Sequence, residues 1–236
     1  MKKNETDLAE IEDREELAPN EAKKEAPPSA RERLIMAALD EVEEVGFARF
    51  SLRRVANACG VSTAAPYKHF KNKRELIEAI LRHINAEWRR RQDEALNRLA
   101  GGSLRERLVE VSLEFIRFMV ENPQYRSIMM IRNETFDSEY LQIKADLSAR
   151  SKELIREYCV ESGMSAKVAR IKMYVVRSLI YGASLMFANC ELTYDDAAME
   201  VVRAAIDREF DLPPIASEHE LKPVFNKLRN DASVSK

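Results

Sequence analysis

The chain has 236 residues, 45% of them hydrophobic, with 40 acidic against 38 basic side chains and only 6 glycines. That length holds one large helical domain or two small ones. Scarce glycine beside abundant Ala, Leu, Glu and Arg disfavours a turn-rich β fold. The net charge of −2 does not exclude nucleic acid, because the charge is unevenly placed: residues 1–30 carry nine acids against five bases, and residues 49–74 carry seven bases and no acid.

Residues 1–29 are acidic, poor in apolar side chains and close on Pro27-Pro28, so they read as a disordered extension. Next comes a helix over 30–45, with Leu34, Ile35, Ala38, Leu39, Val42 and Val45 as its apolar stripe and Gly46 as its C-cap. Ser51 caps a second helix that buries Leu52, Val55, Ala56 and Cys59, and Gly60 supplies a tight turn. Ser62 or Thr63 then opens a third short helix ending near Phe70, with Pro66 in its first turn. A long helix runs from Asn72 to about Leu99, with Leu76, Ile77, Ile80, Leu81, Ile84 and Trp88 inward. Helices over 103–121, 124–132, 138–161, 165–189 and 194–210 complete an all-α chain of about nine helices. The reading gives a helix-turn-helix domain at 30–75, a helical domain at 76–212 and a tail at 213–236.

No window approaches about 18 consecutive apolar residues, and no apolar core follows Lys2-Lys3, so neither a membrane span nor a signal peptide is expected. Cys59, Cys159 and Cys190 lack CxxC spacing and read as buried free thiols of a cytoplasmic protein. His69, His83 and His219 do not have metal-ligand spacing, and His83 with Glu87 reads as a surface pair. No nucleophile elbow, zinc-protease motif, phosphate loop or carboxylate cluster is found. Neither an enzyme nor a cofactor is therefore expected.

Helix, glycine turn, short helix and basic flank together are the layout of a helix-turn-helix whose second helix enters the DNA major groove. Residue by residue, 33–76 resembles the TetR (tetracycline-repressor-like) family. The resemblance is carried by Ala37-Ala38, Gly46-Phe47, Ser51 with Val55-Ala56, Gly60-Val61-Ser62, Tyr67-Lys-His-Phe70 and Lys73 to Leu76. Asn122-Pro123-Gln-Tyr125-Arg126 and 179–185 look like landmarks of one group of C-terminal domains in that family, with Ile180-Tyr181-Gly182 where that group often has Trp-His-Gly.

The resemblance implies that Thr63, Ala64 and Lys68 face base edges and that Tyr67, His69 and Lys73 hold phosphates. Ser51 and Arg53 would then grip the opposite strand. It also implies a C-terminal regulatory half. There Phe115, Phe118, Met119, Met129, Met130 and Phe136 are candidates for a pocket that takes a small hydrophobic effector. Tyr140, Met173, Tyr174, Arg177 and Phe187 join them, all with plain core packing as the alternative. Helices 165–189 and 194–210 resemble the pair that forms a homodimer interface.

The function expected is a homodimeric transcriptional regulator, a repressor released from a palindromic operator by its ligand. The alternative is a DNA-bound architectural or cell-division factor of the same fold without an effector. The acidic extension reads as inert, or alternatively as an intramolecular screen over the basic face.

Overall fold

The computed structural model describes residues 27–130 and 138–213. The extension at 1–26, Phe136 and the tail from 214 lie outside them, with the expectations that fall there. Among the described residues the chain forms nine α-helices, one 3-10 turn and no strand. The helices are α1 (Ala30–Val45), α2 (Leu52–Ala58), α3 (Lys73–Arg98), α4 (Leu104–Glu121), α5 (Pro123–Met129), α6 (Ser138–Asp146), α7 (Ala149–Glu161), α8 (Ala166–Ala188) and α9 (Asp196–Glu209).

Local chemistry sets most of these boundaries. Reciprocal capping boxes open α1 at Ser29 and Glu32 and α4 at Ser103 and Glu106. Side chains of Ser51, Asn72, Ser165 and Asp195 accept the N–H three residues on and start α2, α3, α8 and α9. At the end of α2, Val61 N–H bonds to Ala56 O and Gly60 N–H to Asn57 O, which requires a left-handed residue at 60. Gly60 supplies it at φ 65°.

Two expected helices come out differently. Residues 62–70 form no α-helix; only Pro66–Lys68 is helical, as a 3-10 turn. Pro66 has no N–H to give to Ser62, so the segment closes on three-residue bonds: Ala65 to Ser62, Tyr67 to Ala64, Lys68 to Ala65. The expected 138–161 helix is two helices, interrupted at Leu147-Ser148. The interruption leaves the Leu147 carbonyl to accept the buried Trp88 indole N–H at 2.9 Å, and Ser148 Oγ donates back to Ala145 O. An indole N–H buried without an acceptor would be costly, so the break and the tryptophan explain each other.

The core has two parts. The first joins α1, α2 and α3 to residues of α4, α5, α6 and α7: Leu39, Val55, Phe70, Leu76, Ile80 and Trp88 are among its buried side chains. Trp88 lies edge-on to Phe115 at 5.0 Å and near Phe118 at 5.3 Å. The second joins Val109, Leu113 and Ile116 of α4 to Ile180 and Phe187 of α8 and Met199 and Ile206 of α9. Between the parts runs a network of charges. Arg91 of α3 bonds Glu114 at 2.6 Å and Glu121 at 2.7 Å, and Arg117 and Arg203 converge on Glu110 at 2.9 Å each. Burial opposes the ionisation of Glu110, yet the hydrogen bonds from Arg203 and Arg117 hold its carboxyl below the usual range.

Among the described residues, α8 stands out for its apolar sequence. Its 23 residues are long and apolar enough, by length and composition alone, to cross a membrane, at a mean hydropathy of 1.2. A search for unbroken apolar runs passes over it because Arg177, Ser178 and Ser184 interrupt the sequence. It packs against α4, α7 and α9 through Ala169, Ile171, Ile180 and Phe187.

Candidate nucleic-acid interface

Seven bases fall in the acid-free stretch 49–74, and the fold treats them differently. Arg54 Nε sits 2.5 Å from Glu41 of α1, and that bond raises its already high pKa. Arg74 bonds Glu78 at 3.2 Å and Glu139 of α6 at 2.6 Å. Arg49 Nε donates to the Val45 carbonyl at 2.9 Å. Lys73 departs most from the sequence picture of a solvent-facing anchor. Its ammonium donates to the Phe47 carbonyl at 3.2 Å and lies 4.3 Å from the centre of the Phe50 ring. Burial pushes its pKa below the ordinary lysine range. Lys73 therefore clasps the α1–α2 loop to the start of α3.

The remaining bases, Arg53, Lys68 and Lys71, are exposed and make no ion pair among the described residues. Lys71 is absent from the sequence-derived set; its position directly after Phe70, ahead of the α3 N-cap, is the signal that could have found it.

Thr63, Ala64, Tyr67, Lys68 and His69 are all exposed along one turn, and Tyr67 keeps 58% of its surface. Below them Pro66 and Phe70 are buried and fix the turn on α1 and α3. Val61 is 39% exposed, so Phe70 rather than Val61 supplies the apolar footing. Ser51 is half-buried with its oxygen accepting from Arg54 N–H, and Arg53 projects from the next position. The arrangement presents hydroxyl, methyl, phenol, ammonium and imidazole groups on a rigid footing. Those groups match base edges and phosphates.

Among the described residues, the sequence-derived pocket side chains fall into several groups. Phe118, Met119, Met129 and Tyr140 are buried in the first core, with Phe115 and Met130 against it. Phe187 is in the second. Tyr174 is 62% exposed, and Arg177, also exposed, lies 5.8 Å from the Tyr181 ring. Phe136 lies outside the described residues. Met173 alone lines an open groove of about 780 Å³ between α7 and the start of α8, with Ile155, Cys159, Val160, Met164 and Ala169.

The thiols and His83 also differ from expectation. Cys190 is exposed, and Cys59 and Cys159 are half-buried with pKa values raised by burial. Neither of those two is therefore an activated thiol. His83 is half-buried rather than superficial, with Nε2 3.1 Å from the Tyr125 hydroxyl. Burial lowers its pKa against the pull of Glu87 and Glu32.

Residues 34–80 match the family described as "Bacterial regulatory proteins, tetR family". The chain is 39% identical over 84 residues to the HTH-type transcriptional regulator BetI of Klebsiella pneumoniae (strain 342), across 34% of this chain and 42% of that protein. The match thus spans about two fifths of that relative's length. Two solved structures share the fold over most of their lengths. A TetR family transcription regulator from Marinobacter aquaeolei VT8 superposes with a TM-score of 0.61 at 20% identity, over 76% of this chain and 94% of that one. The TetR family regulator PfmR from Thermus thermophilus gives 0.58 at 22% identity, over 82% and 100%. Residues 34–80 thus carry the helix-turn-helix of the tetR family of bacterial regulatory proteins, and the all-α fold beyond them is the one these two structures share.

Proposed function

We propose that the protein is a cytoplasmic, homodimeric transcriptional regulator that binds a palindromic operator through residues 63–69 and represses from it. The single observation that carries this reading is the exposure of Thr63, Ala64, Tyr67, Lys68 and His69 together above a fully buried Phe70. Thr63, Ala64 and Lys68 read base edges. Tyr67, His69, Lys71, Arg53 and Ser51 hold the backbone, and Lys73 positions the loop behind them. One short turn reads few base pairs, so two copies on half-sites about one helical turn apart are needed.

The dimer face is α8 with α9. Tyr174, Leu185 and Met186 on α8 and Val201 on α9 are exposed apolar side chains, with Val201 keeping 70% of its surface. Ser178 is exposed and Gly182 and Ala183 are half-buried, which lets a symmetry mate approach closely; Ala169 instead faces inward. Helix α3 joins both halves, so a small hydrophobic effector that favours one arrangement of α3 over the other would release the DNA.

The effector-free architectural reading is favoured by a different observation. Among the described residues, Phe118, Met119 and Tyr140 are buried in the first core and Phe187 in the second.

Selection from a random duplex library tests the proposal. Enrichment of a two-fold palindrome supports it, and recovery of unrelated sequences contradicts it.

A further inference from the structure

We propose that the acidic segment 1–26 docks on the exposed Arg53, Lys68 and Lys71 of its own chain and competes there with DNA, so that the basic face is self-screened.

Three observations carry this. The first is charge. Residues 5–16 hold seven acids (Glu5, Asp7, Glu10, Glu12, Asp13, Glu15, Glu16) against the single base Arg14. The face they would meet has no acid anywhere in residues 49–74. Its bases Arg54 and Arg74 already have carboxylate partners within the fold, whereas Arg53, Lys68 and Lys71 do not, so the attraction has a defined target.

The second is the exit point. The chain enters α1 beside the turn that faces DNA. The Arg31 guanidinium lies 5.1 Å from the centre of the Phe70 ring, the residue between His69 and Lys71. Arg33 donates to the Pro28 carbonyl at 2.9 Å, and the capping box at Ser29 holds the first turn. The exit is therefore tied down within a few residues of Lys68 and Lys71.

The third is reach. Glu16 precedes Ser29 by 13 residues, which span up to about 43–47 Å when extended. A domain of some fifty residues is only about 25 Å across. The acids at 10–25 can all lie on the face without strain, and the tether makes the contact intramolecular. Like charge makes DNA and the segment mutually exclusive there, and salt weakens the self-contact as it weakens DNA binding.

The experiment uses the full chain. Zero-length carbodiimide coupling joins carboxylates to amines that touch, and peptide mass spectrometry locates the joins. Docking predicts intramolecular links from acids in 5–25 to Lys68 and Lys71 that disappear when about 0.5 M salt is added. Links only to other lysines, or none, overturn it. In parallel, a full-chain variant with the seven acids of 5–16 changed to Gln or Asn is titrated against a random-sequence 30-base-pair duplex. Binding about tenfold tighter than wild type near 50 mM salt, with the gap closing as salt rises, is expected. Equal affinity at low salt overturns the competition. The consequence for DNA rests on the proposed interface, but the cross-links do not. If the wild-type chain links as expected and neither it nor the variant binds DNA, the interface reading falls and the docking stands.

Discussion

Two faces of the molecule are exposed in opposite ways. The turn at 63–69 leaves polar and charged side chains outside and hides its apolar ones: Pro66 and Phe70 are covered, while Lys68 and His69 are not. On α8 and α9 some apolar groups are outside (Tyr174, Leu185, Val201), others such as Ile180, Phe187 and Ile206 form the core beneath, and the polar Lys172 and Ser184 are buried with them. Lys172 is satisfied there by the Glu209 and Leu212 carbonyls and by the nearby Glu209 carboxylate. A polar face over a rigid apolar footing suits a hydrated, charged partner. An exposed apolar face suits another protein surface. The proposed function thus asks two partner types of one chain; α3 packs against α1 on the first side, and α4 packs under α8 and α9 on the second.

The largest expected effect comes from the core that supports the contrast. Trp88→Ala deletes an indole that meets Phe115, Phe118 and Leu147 O, and should cost about 3–5 kcal/mol in chemical denaturation. A smaller loss would mean that the two cores are less joined than described. Val201→Glu should leave folding intact and convert dimers to monomers in sedimentation, because a carboxylate buried at a two-fold seam has no partner. Unchanged dimers would move the apolar face to another role.

A subtler pair compares two left-handed turns. Gly60→Ala meets no atom within 4 Å of the added methyl, so its cost is conformational alone, about 1–2 kcal/mol. Cys190 holds the same kind of turn at φ 58°, with Glu191 N–H bonded to Met186 O. Cys190→Gly should therefore raise stability by about 0.5–1 kcal/mol. A loss at 190 would show that the thiol does more than occupy the turn.

The smallest effect is the pH response of His83. Its folded pKa lies below 6.5, so the unfolded chain binds the proton more readily. The contribution of neutral His83 is complete above pH 6.5 and is lost as pH falls from there toward the folded pKa. The melting temperature of wild type should drop more between about pH 7 and pH 5 than that of His83→Gln. Parallel curves would contradict this.

Many helix starts and stops are legible in the sequence where a single residue decides them. The Ser29 cap is not among those the sequence reading assigns, but Gly46, Ser51, Gly60, Asn72, Ser103 and Ser165 all stand where their chemistry places them. What escapes depends on tertiary contact. The break at Leu147 exists for an indole 59 positions away. The inward turn of Lys73 depends on Phe47 and Phe50, brought beside it by the packing of α1 on α3. Periodicity selects bulky inward residues such as Phe118 and Phe187, but it has no means of telling the wall of a chamber from solid core. At the turn over 63–69 the exposed residues are legible, while the helix expected for them does not form, because Pro66 converts it to a 3-10 turn.

The most direct check is fluorescence anisotropy of a selected operator duplex titrated with wild type and with the Tyr67→Ala/Lys68→Ala double variant. Both side chains are exposed, so the variant should melt within about 1 kcal/mol of wild type. It should bind at least about tenfold more weakly, with a shallower dependence of affinity on salt. Equal affinity and equal salt slope, in a variant that is folded and dimeric, would place DNA binding elsewhere on the molecule.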